Sequence, residues 1–153
     1  MSTFYSEMAA KLKALMEGVP YQIANLSNAA ALLWQELPDI NWVGFYQLMD
    51  NRLVLGPFQG KPACIQIPLG KGVCGTAAME ERVVRVENVH EFPGHIACDS
   101  ASNSEIVVPL YRRGRLWGVL DIDSPMLCRF TKEDEEQLDL IGALLGNMLS
   151  ETE

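Results

Sequence analysis

The sequence predicts an α+β domain. Apolar residues recur at helical spacing at both ends of the chain, and about six short β-rich runs lie between them, mostly joined by hairpin signals. This arrangement implies a central, mostly antiparallel sheet, with the N- and C-terminal helices on one face. Loops would cover the other face and leave a pocket between themselves and the sheet. Residues 1–153 read as one domain, with no internal repeat, low-complexity segment or linker.

Each element has a local reason. Phe4, Met8, Leu12, Leu15 and Met16 form the first helical stripe, and Gly18 with Pro20 ends it. Ile23, Leu26, Ala30, Leu33 and Leu37 form a second, stopped by Pro38. Trp42–Leu48 and Arg52–Phe58 are β-rich and meet across Met49-Asp50-Asn51, a hairpin signal. Cys64–Ile67 is a third short strand, Gly72–Met79 opens a short helix, and Val83–Val86 returns to strand character. Residues 87–103 form a long polar loop or broken helix. Glu105–Leu110 and Leu116–Asp123 then pair across Arg113-Gly114. Thr131, followed by Glu133 and Asp134, reads as an N-cap with acidic first-turn residues, which favour the positive end of the helix dipole. Leu138, Ile141, Leu145, Met148 and Leu149 carry that final helix.

Composition narrows the partners. The chain is 48% hydrophobic, enough for a real core at 153 residues, and its formal net charge is −8. The twelve basic residues are scattered apart from Arg112-Arg113, so nucleic acid and anionic membranes are not expected partners. Neither a secretory signal pattern nor an apolar run long enough to span a membrane is present, and a cytoplasmic location is expected.

The cysteines give the strongest functional signal. Cys64, Cys74 and Cys98 sit in polar, glycine-punctuated stretches between strand runs, not on an apolar periodic face, and loops are where positioned chemistry is usually carried. In a reducing compartment they point to redox catalysis or metal binding rather than a permanent disulfide framework. Zinc through Cys64, Cys74, His95 and Cys98 is disfavoured, because no two of the cysteines lie closer than ten residues apart. We expect no metal. Cys98 lies near His95, which would favour a thiolate if protonated, while adjacent Asp99 opposes it. Cys74 would gain a lowered pKa at a helix N-terminus. Local chemistry alone does not choose between them. Cys128, in Pro125-Met-Leu-Cys-Arg-Phe130, reads as structural or incidental.

Asp121 and Asp123 are two residues apart in a strand and so share a face, opposite Leu120 and Ile122. Two carboxylates on one face of an apolar strand are costly unless solvated or occupied. Trp42 and Tyr46, four apart, also share a face and form either core or an aromatic pocket wall. Backbone amides in Gly70–Cys74 resemble an anion-holding helix start, though the stretch is not a phosphate loop.

Together, Gly70-Lys-Gly-Val-Cys74-Gly-Thr-Ala, Gly94-His-Ile-Ala-Cys98-Asp, Ser104-Glu105-Ile-Val-Val-Pro and Gly118-Val-Leu-Asp121-Ile-Asp123-Ser resemble the free methionine-(R)-sulfoxide reductase family, whose members are single GAF domains. The resemblance extends over nearly the whole chain, including Trp42-Val-Gly-Phe-Tyr46. It implies reduction of free L-methionine (R)-sulfoxide, with Cys98 as attacking thiol and Cys64 and Cys74 supplying the resolving function. It also places Glu105, Asp121 and Asp123 in the site. A zwitterionic substrate needs a carboxylate for its ammonium group and an acid for its leaving oxygen. On that basis Glu105 and Asp123 face the sulfoxide oxygen, Asp121 faces the ammonium group, and Trp42 and Tyr46 face the S-methyl end. No bound cofactor is expected; thioredoxin would act as external reductant. A homodimer through the terminal helices is compatible with the family. The alternative reading is a non-catalytic GAF module that binds a small molecule or senses redox state.

Overall fold

A computed structural model describes residues 2–95 and 101–153. The described residues form six strands and four α-helices in the order α1 (Thr3–Met16), α2 (Gln22–Glu36), β1 (Trp42–Met49), β2 (Arg52–Gly60), β3 (Gln66–Pro68), α3 (Gly72–Glu80), β4 (Val84–Val86), β5 (Ser104–Arg112), β6 (Arg115–Ser124) and α4 (Lys132–Glu151). A single 3₁₀ turn, Val89–Glu91, follows β4. The strands make one sheet in the order β3-β2-β1-β6-β5-β4, and every pairing is antiparallel. Among the described residues no helix is long and apolar enough to cross a membrane.

Both expected hairpins form, each through two residues at positive φ: Asp50 and Asn51 join β1 to β2, and Arg113 and Gly114 join β5 to β6. That turn geometry matches the right-handed twist of the flanking strands. The third strand differs from its expected limits. It starts at Gln66, so Cys64 lies in the loop before it, although Leu55 still donates its amide to the Ile65 carbonyl at 2.9 Å.

Three helices cover one face of the sheet. Their buried residues join Val43, Phe45, Ile106, Val108, Leu120 and Ile122 in the larger core. In α1 the stripe is Tyr5, Met8, Leu12 and Met16, whereas Phe4 and Leu15 are each 41% exposed. The apolar pattern was wider than the face α1 buries. Ile23 likewise points outward from α2, which buries Asn25, Leu26, Ala29, Ala30 and Leu33. Helix α4 begins with the expected cap: Thr131 and Asp134 form a capping box, and Asp134 also accepts a 2.6 Å bond from the Tyr5 hydroxyl. At its other end the Arg112 guanidinium donates to the Leu149 and Thr152 carbonyls, placing a cation on the negative end of the dipole. Gly142 and Gly146 let α4 lie close on β5, since a Cβ on either would come within 2.8 Å of Val108 or Tyr111.

The opposite face carries α3 rather than loops alone. Val73, Cys74, Ala77 and Ala78 pack there with Trp42, Tyr46, Leu53, Val84, Val107 and Val119 in a second, smaller cluster. Gly118 in β6 permits the closest approach within the sheet: a Cβ there would stand 2.0 Å from the Tyr46 carbonyl oxygen and 2.9 Å from Gln47 Cα. Gly118→Ala must therefore push β1 from β6 or be excluded. We expect it to destabilise the fold by about 3 kcal/mol, read as a lower urea midpoint with an unchanged denaturant slope.

Candidate active site

The cross-strand register builds the site row by row. Trp42 on β1 pairs with Asp123 on β6, Asp123 pairs with Glu105 on β5, and Glu105 pairs with Val86 on β4. In the adjacent row Gly44 faces Asp121, which faces Val107. Residues in register lie about 5 Å apart, and same-face neighbours follow every second residue. Glu105, Asp121, Asp123, Trp42 and Tyr46 therefore share the face beneath α3. Cys74 reaches down from α3 to complete the group, its Sγ 3.8 Å from Glu105 Oε2.

These six residues line one cavity. Pro62, Ala63, Ile67, Lys71, Gly72, Val73, His95 and Ser102 form the rest of its described lining. Cys64 follows directly after Ala63 and is half-buried. It is disulfide-bonded, whereas Cys74 and Cys128 carry free thiols. Cys98, the chain's remaining cysteine, lies outside the described residues, as do its neighbours Ile96, Ala97, Asp99 and Ser100. Cys128 is exposed and sits beside Glu87, to whose carbonyl it donates its amide at 3.0 Å.

Three carboxyl groups crowd this small volume. Glu105 and Asp121 are both buried. Burial pushes the Glu105 carboxyl well above the usual range, and the neighbouring Asp121 charge adds to it. Burial also raises Asp121, reinforced by the charge of Asp123 and only partly offset by hydrogen bonding to Glu105 and Cys74. Like charges held this close oppose one another's ionisation, so the cluster favours keeping a proton that it can donate. The pocket is negative and favours a cationic or protonatable guest.

The same field corrects the reading of Cys74. It does lie in the first turn of α3, where the helix dipole would lower its pKa. Burial instead pushes the thiol well above its usual range, with Asp121, Glu105 and Asp123 pushing the same way. Cys74 is thus a protonated donor in this state. For His95, burial and then the nearby His90 lower the pKa, which disfavours the protonated form that the sequence reading made its condition.

The aromatic pair shares a face as expected and stacks, with ring centroids 5.9 Å apart, and Trp42 also stacks on Phe58 at 5.3 Å. The sequence did not reveal what their polar ends do. Trp42 Nε1 donates to the Lys61 carbonyl at 3.1 Å and the Tyr46 hydroxyl donates to the Cys64 carbonyl at 3.0 Å. Together they fix the segment that carries Cys64. Gly44 was also missed: a Cβ there would lie 2.7 Å from Trp42 Cη2 and 2.3 Å from Phe58 Cβ, so glycine is what admits both rings. A glycine inside the β-rich run Trp42-Val-Gly-Phe-Tyr46 was the available signal. The glycine-rich start of α3 is largely committed to the main chain. Gly70 donates to Gly75, Lys71 to Pro68 and Gly72 to Gly94. Val73 and Cys74 have no such main-chain acceptor among the described residues.

The fold and this sheet-and-helix pocket define a class. The chain belongs to the GAF domain family, whose model matches residues 10–149. It is 54% identical over 150 residues to the free methionine-R-sulfoxide reductase of Escherichia coli K12, covering 98% of this chain and 91% of that protein. Two solved structures agree. One is the fRMsr of Staphylococcus aureus in complex with substrate, with TM-score 0.91, 50% identity and 97% of both chains covered. The other is the free methionine-R-sulfoxide reductase of Neisseria meningitidis in complex with its substrate, with TM-score 0.93, 41% identity, 97% of this chain and 89% of that one. Within the GAF proteins, this chain is a member of the free methionine-R-sulfoxide reductase family.

The raised Asp121 carboxyl has a consequence for stability. A group whose pKa is higher folded than unfolded loses stabilisation as pH rises from the unfolded value, near 4, through the folded one. Asp121→Asn removes that loss. We expect a gain of about 1–2 kcal/mol at pH 8 that vanishes towards pH 4, measured by urea denaturation at both pH values.

Proposed function

We propose that this protein reduces free L-methionine (R)-sulfoxide to L-methionine. The observation that carries the proposal is the buried, proton-retaining carboxyl cluster facing an aromatic wall, beside a disulfide-bonded Cys64, in a chain of this family. In the proposed reaction the Cys98 thiolate attacks the substrate. The sulfoxide oxygen is transferred to that cysteine with uptake of a proton, so methionine leaves and a cysteine sulfenic acid remains. The Cys64 thiol then attacks the sulfenic sulfur, releasing water and forming a disulfide. A dithiol donor of the thioredoxin class restores both thiols by exchange, itself becoming the disulfide.

Cys64 rather than Cys74 is the proposed resolving thiol. It is disulfide-bonded here, while Cys74 is free, buried and held protonated. Glu105 and Asp123, in register on β5 and β6, would face the sulfoxide oxygen and supply its proton. Asp121 would take the ammonium group. The amides of Val73 and Cys74 at the start of α3 would take the carboxylate. Trp42 and Tyr46 would contact the S-methyl group through sulfur–aromatic interactions. No bound cofactor enters this scheme, and a reducing cytoplasm would keep the donor supplied.

The decisive experiment is thioredoxin-coupled NADPH oxidation with the free (R)-sulfoxide. Wild type should turn over and Cys98→Ser should not. Cys64→Ser should form about one methionine per protein and then turn over at least tenfold more slowly, because the sulfenic acid lacks its internal partner. No turnover by folded, reduced wild type would return the protein to the binding-module reading. Charge recognition at both ends of the substrate gives a second expectation. An N-acetylated, amidated sulfoxide leaves buried polar groups unpaired, and its kcat/KM should fall by at least about 10³-fold. Comparable rates on free and blocked substrates would overturn the proposed roles of Asp121 and the α3 amides.

A further inference from the structure

The thiol of Cys74 has no part in the proposed redox cycle, yet it is held against two carboxyl groups. Cys74 Sγ and carboxylate oxygens of Glu105 and Asp121 all lie within 4.8 Å of one another, and all three residues are buried. The Sγ to Glu105 Oε2 distance is 3.8 Å. A tetrahedral zinc ion with Zn–S near 2.3 Å and Zn–O near 2.0 Å spans a sulfur-to-oxygen edge of about 3.5 Å. That edge closes on an ion with a movement of a few tenths of an ångström, and the edges to Asp121, all within 4.8 Å, close with side-chain adjustments of up to about 1.5 Å. Asp121 supplies an independent sign of a missing ligand: it is 5% exposed, it lines the cavity, and its Oδ1 has no hydrogen-bond partner among the described residues. The cavity holds about 50 Å³, room for an ion with a water beside it at about 30 Å³ per water.

We propose that Cys74, Glu105 and Asp121 form a binding site for a thiophilic divalent cation, zinc being the representative. One sulfur and two carboxyl donors suit such an ion better than calcium or magnesium, which take six or more oxygen ligands. Three protein ligands leave the fourth position open to the cavity, the pattern of an accessible site rather than a structural one. As the ion enters, the thiol proton and the proton held by the carboxyl cluster pass to solvent, and no oxidation state changes. This ligand set shares only Cys74 with the one weighed from sequence spacing. If the cavity is the sulfoxide site, the cation and the substrate exclude one another, and that consequence alone rests on the proposed function.

The test titrates zinc into the full chain in its disulfide form, carrying Cys128→Ser to remove the exposed thiol, with cobalt(II) as a spectroscopic probe. We expect one site, with a thiolate-to-cobalt charge-transfer band and tetrahedral ligand-field bands. Cys74→Ser should abolish the charge-transfer band and weaken zinc at least tenfold, and Asp121→Asn should weaken it similarly. Glu105→Gln serves as a third variant should either fail to fold by circular dichroism. Unchanged affinity in the folded variants, or an octahedral cobalt spectrum without a thiolate band, would overturn the site. A chain retaining Cys74 as its one cysteine then tests competition. Zinc bound through Cys74 but not displaced by methionine sulfoxide would uphold the cation site and overturn the substrate reading of the cavity.

Discussion

The register between β5 and β6 is the constraint on which the pocket depends. It sets Glu105 opposite Asp123 and puts Asp121 one same-face step away. A slip of β6 by one residue would turn Asp121 and Asp123 into the larger core, away from Glu105, and bring Leu120 and Ile122 out beneath α3. From one end this register follows the two-residue turn at Arg113-Gly114 only after a one-residue shift between Leu110 and Tyr111, and the Ser104–Ser124 pairing closes it at the other. Around the second end, Ser104 Oγ donates to the Met126 carbonyl at 2.6 Å and Ser124 Oγ to the Asp39 carbonyl at 2.6 Å. Both serines are fully buried, so these bonds also satisfy hydroxyls that would otherwise be costly there.

Burying acidic groups opposes folding, and the opposite face of the sheet supplies what offsets it. The larger core draws on α1, α2 and α4, while the buried acidic residues among those described, Glu105 and Asp121, both line the cavity on the other face. The ends of α4 are partnered: the capping box at Thr131 and Asp134, the Tyr5 hydroxyl on Asp134, and the Arg112 guanidinium at the last carbonyls. One layer is thus apolar and well capped, and the other holds charge and cavity. This division lets a small protein carry a destabilised site on a stable frame.

Much of this was legible because it is local. Alternation over Leu120–Asp123, the turn pairs Asp50-Asn51 and Arg113-Gly114, and the cap at Thr131 each carry their structural meaning within a few residues. The cavity's membership was legible only with the family resemblance, since Cys74, Glu105 and Asp121 meet across α3, β5 and β6. What stayed hidden is set by tertiary surroundings. A first-turn cysteine suggests an acidic thiol, but burial among carboxyls reverses the sign for Cys74. His95 shifts for the same kind of reason. Phe4, Leu15 and Ile23 matched a helical period but fall beyond the arcs that α1 and α2 bury. The roles of Trp42 Nε1 and the Tyr46 hydroxyl depend on a loop that returns fifteen or more residues later, which no periodicity reveals.

That last pair of bonds gives the molecule an optical property. The Trp42 indole stacks between Phe58 and Tyr46 and is tied by its nitrogen to the segment leading to Cys64. Its emission depends on ring stacking, which β1 and β2 supply, and on the hydrogen bond at Nε1, which the stretch leading to Cys64 supplies through the Lys61 carbonyl. The other two indoles, Trp34 and Trp117, belong to α2 and β6 and not to that loop. Trp42 therefore ties the fluorescence of the native chain to the position of that segment, an intrinsic probe that needs no added label.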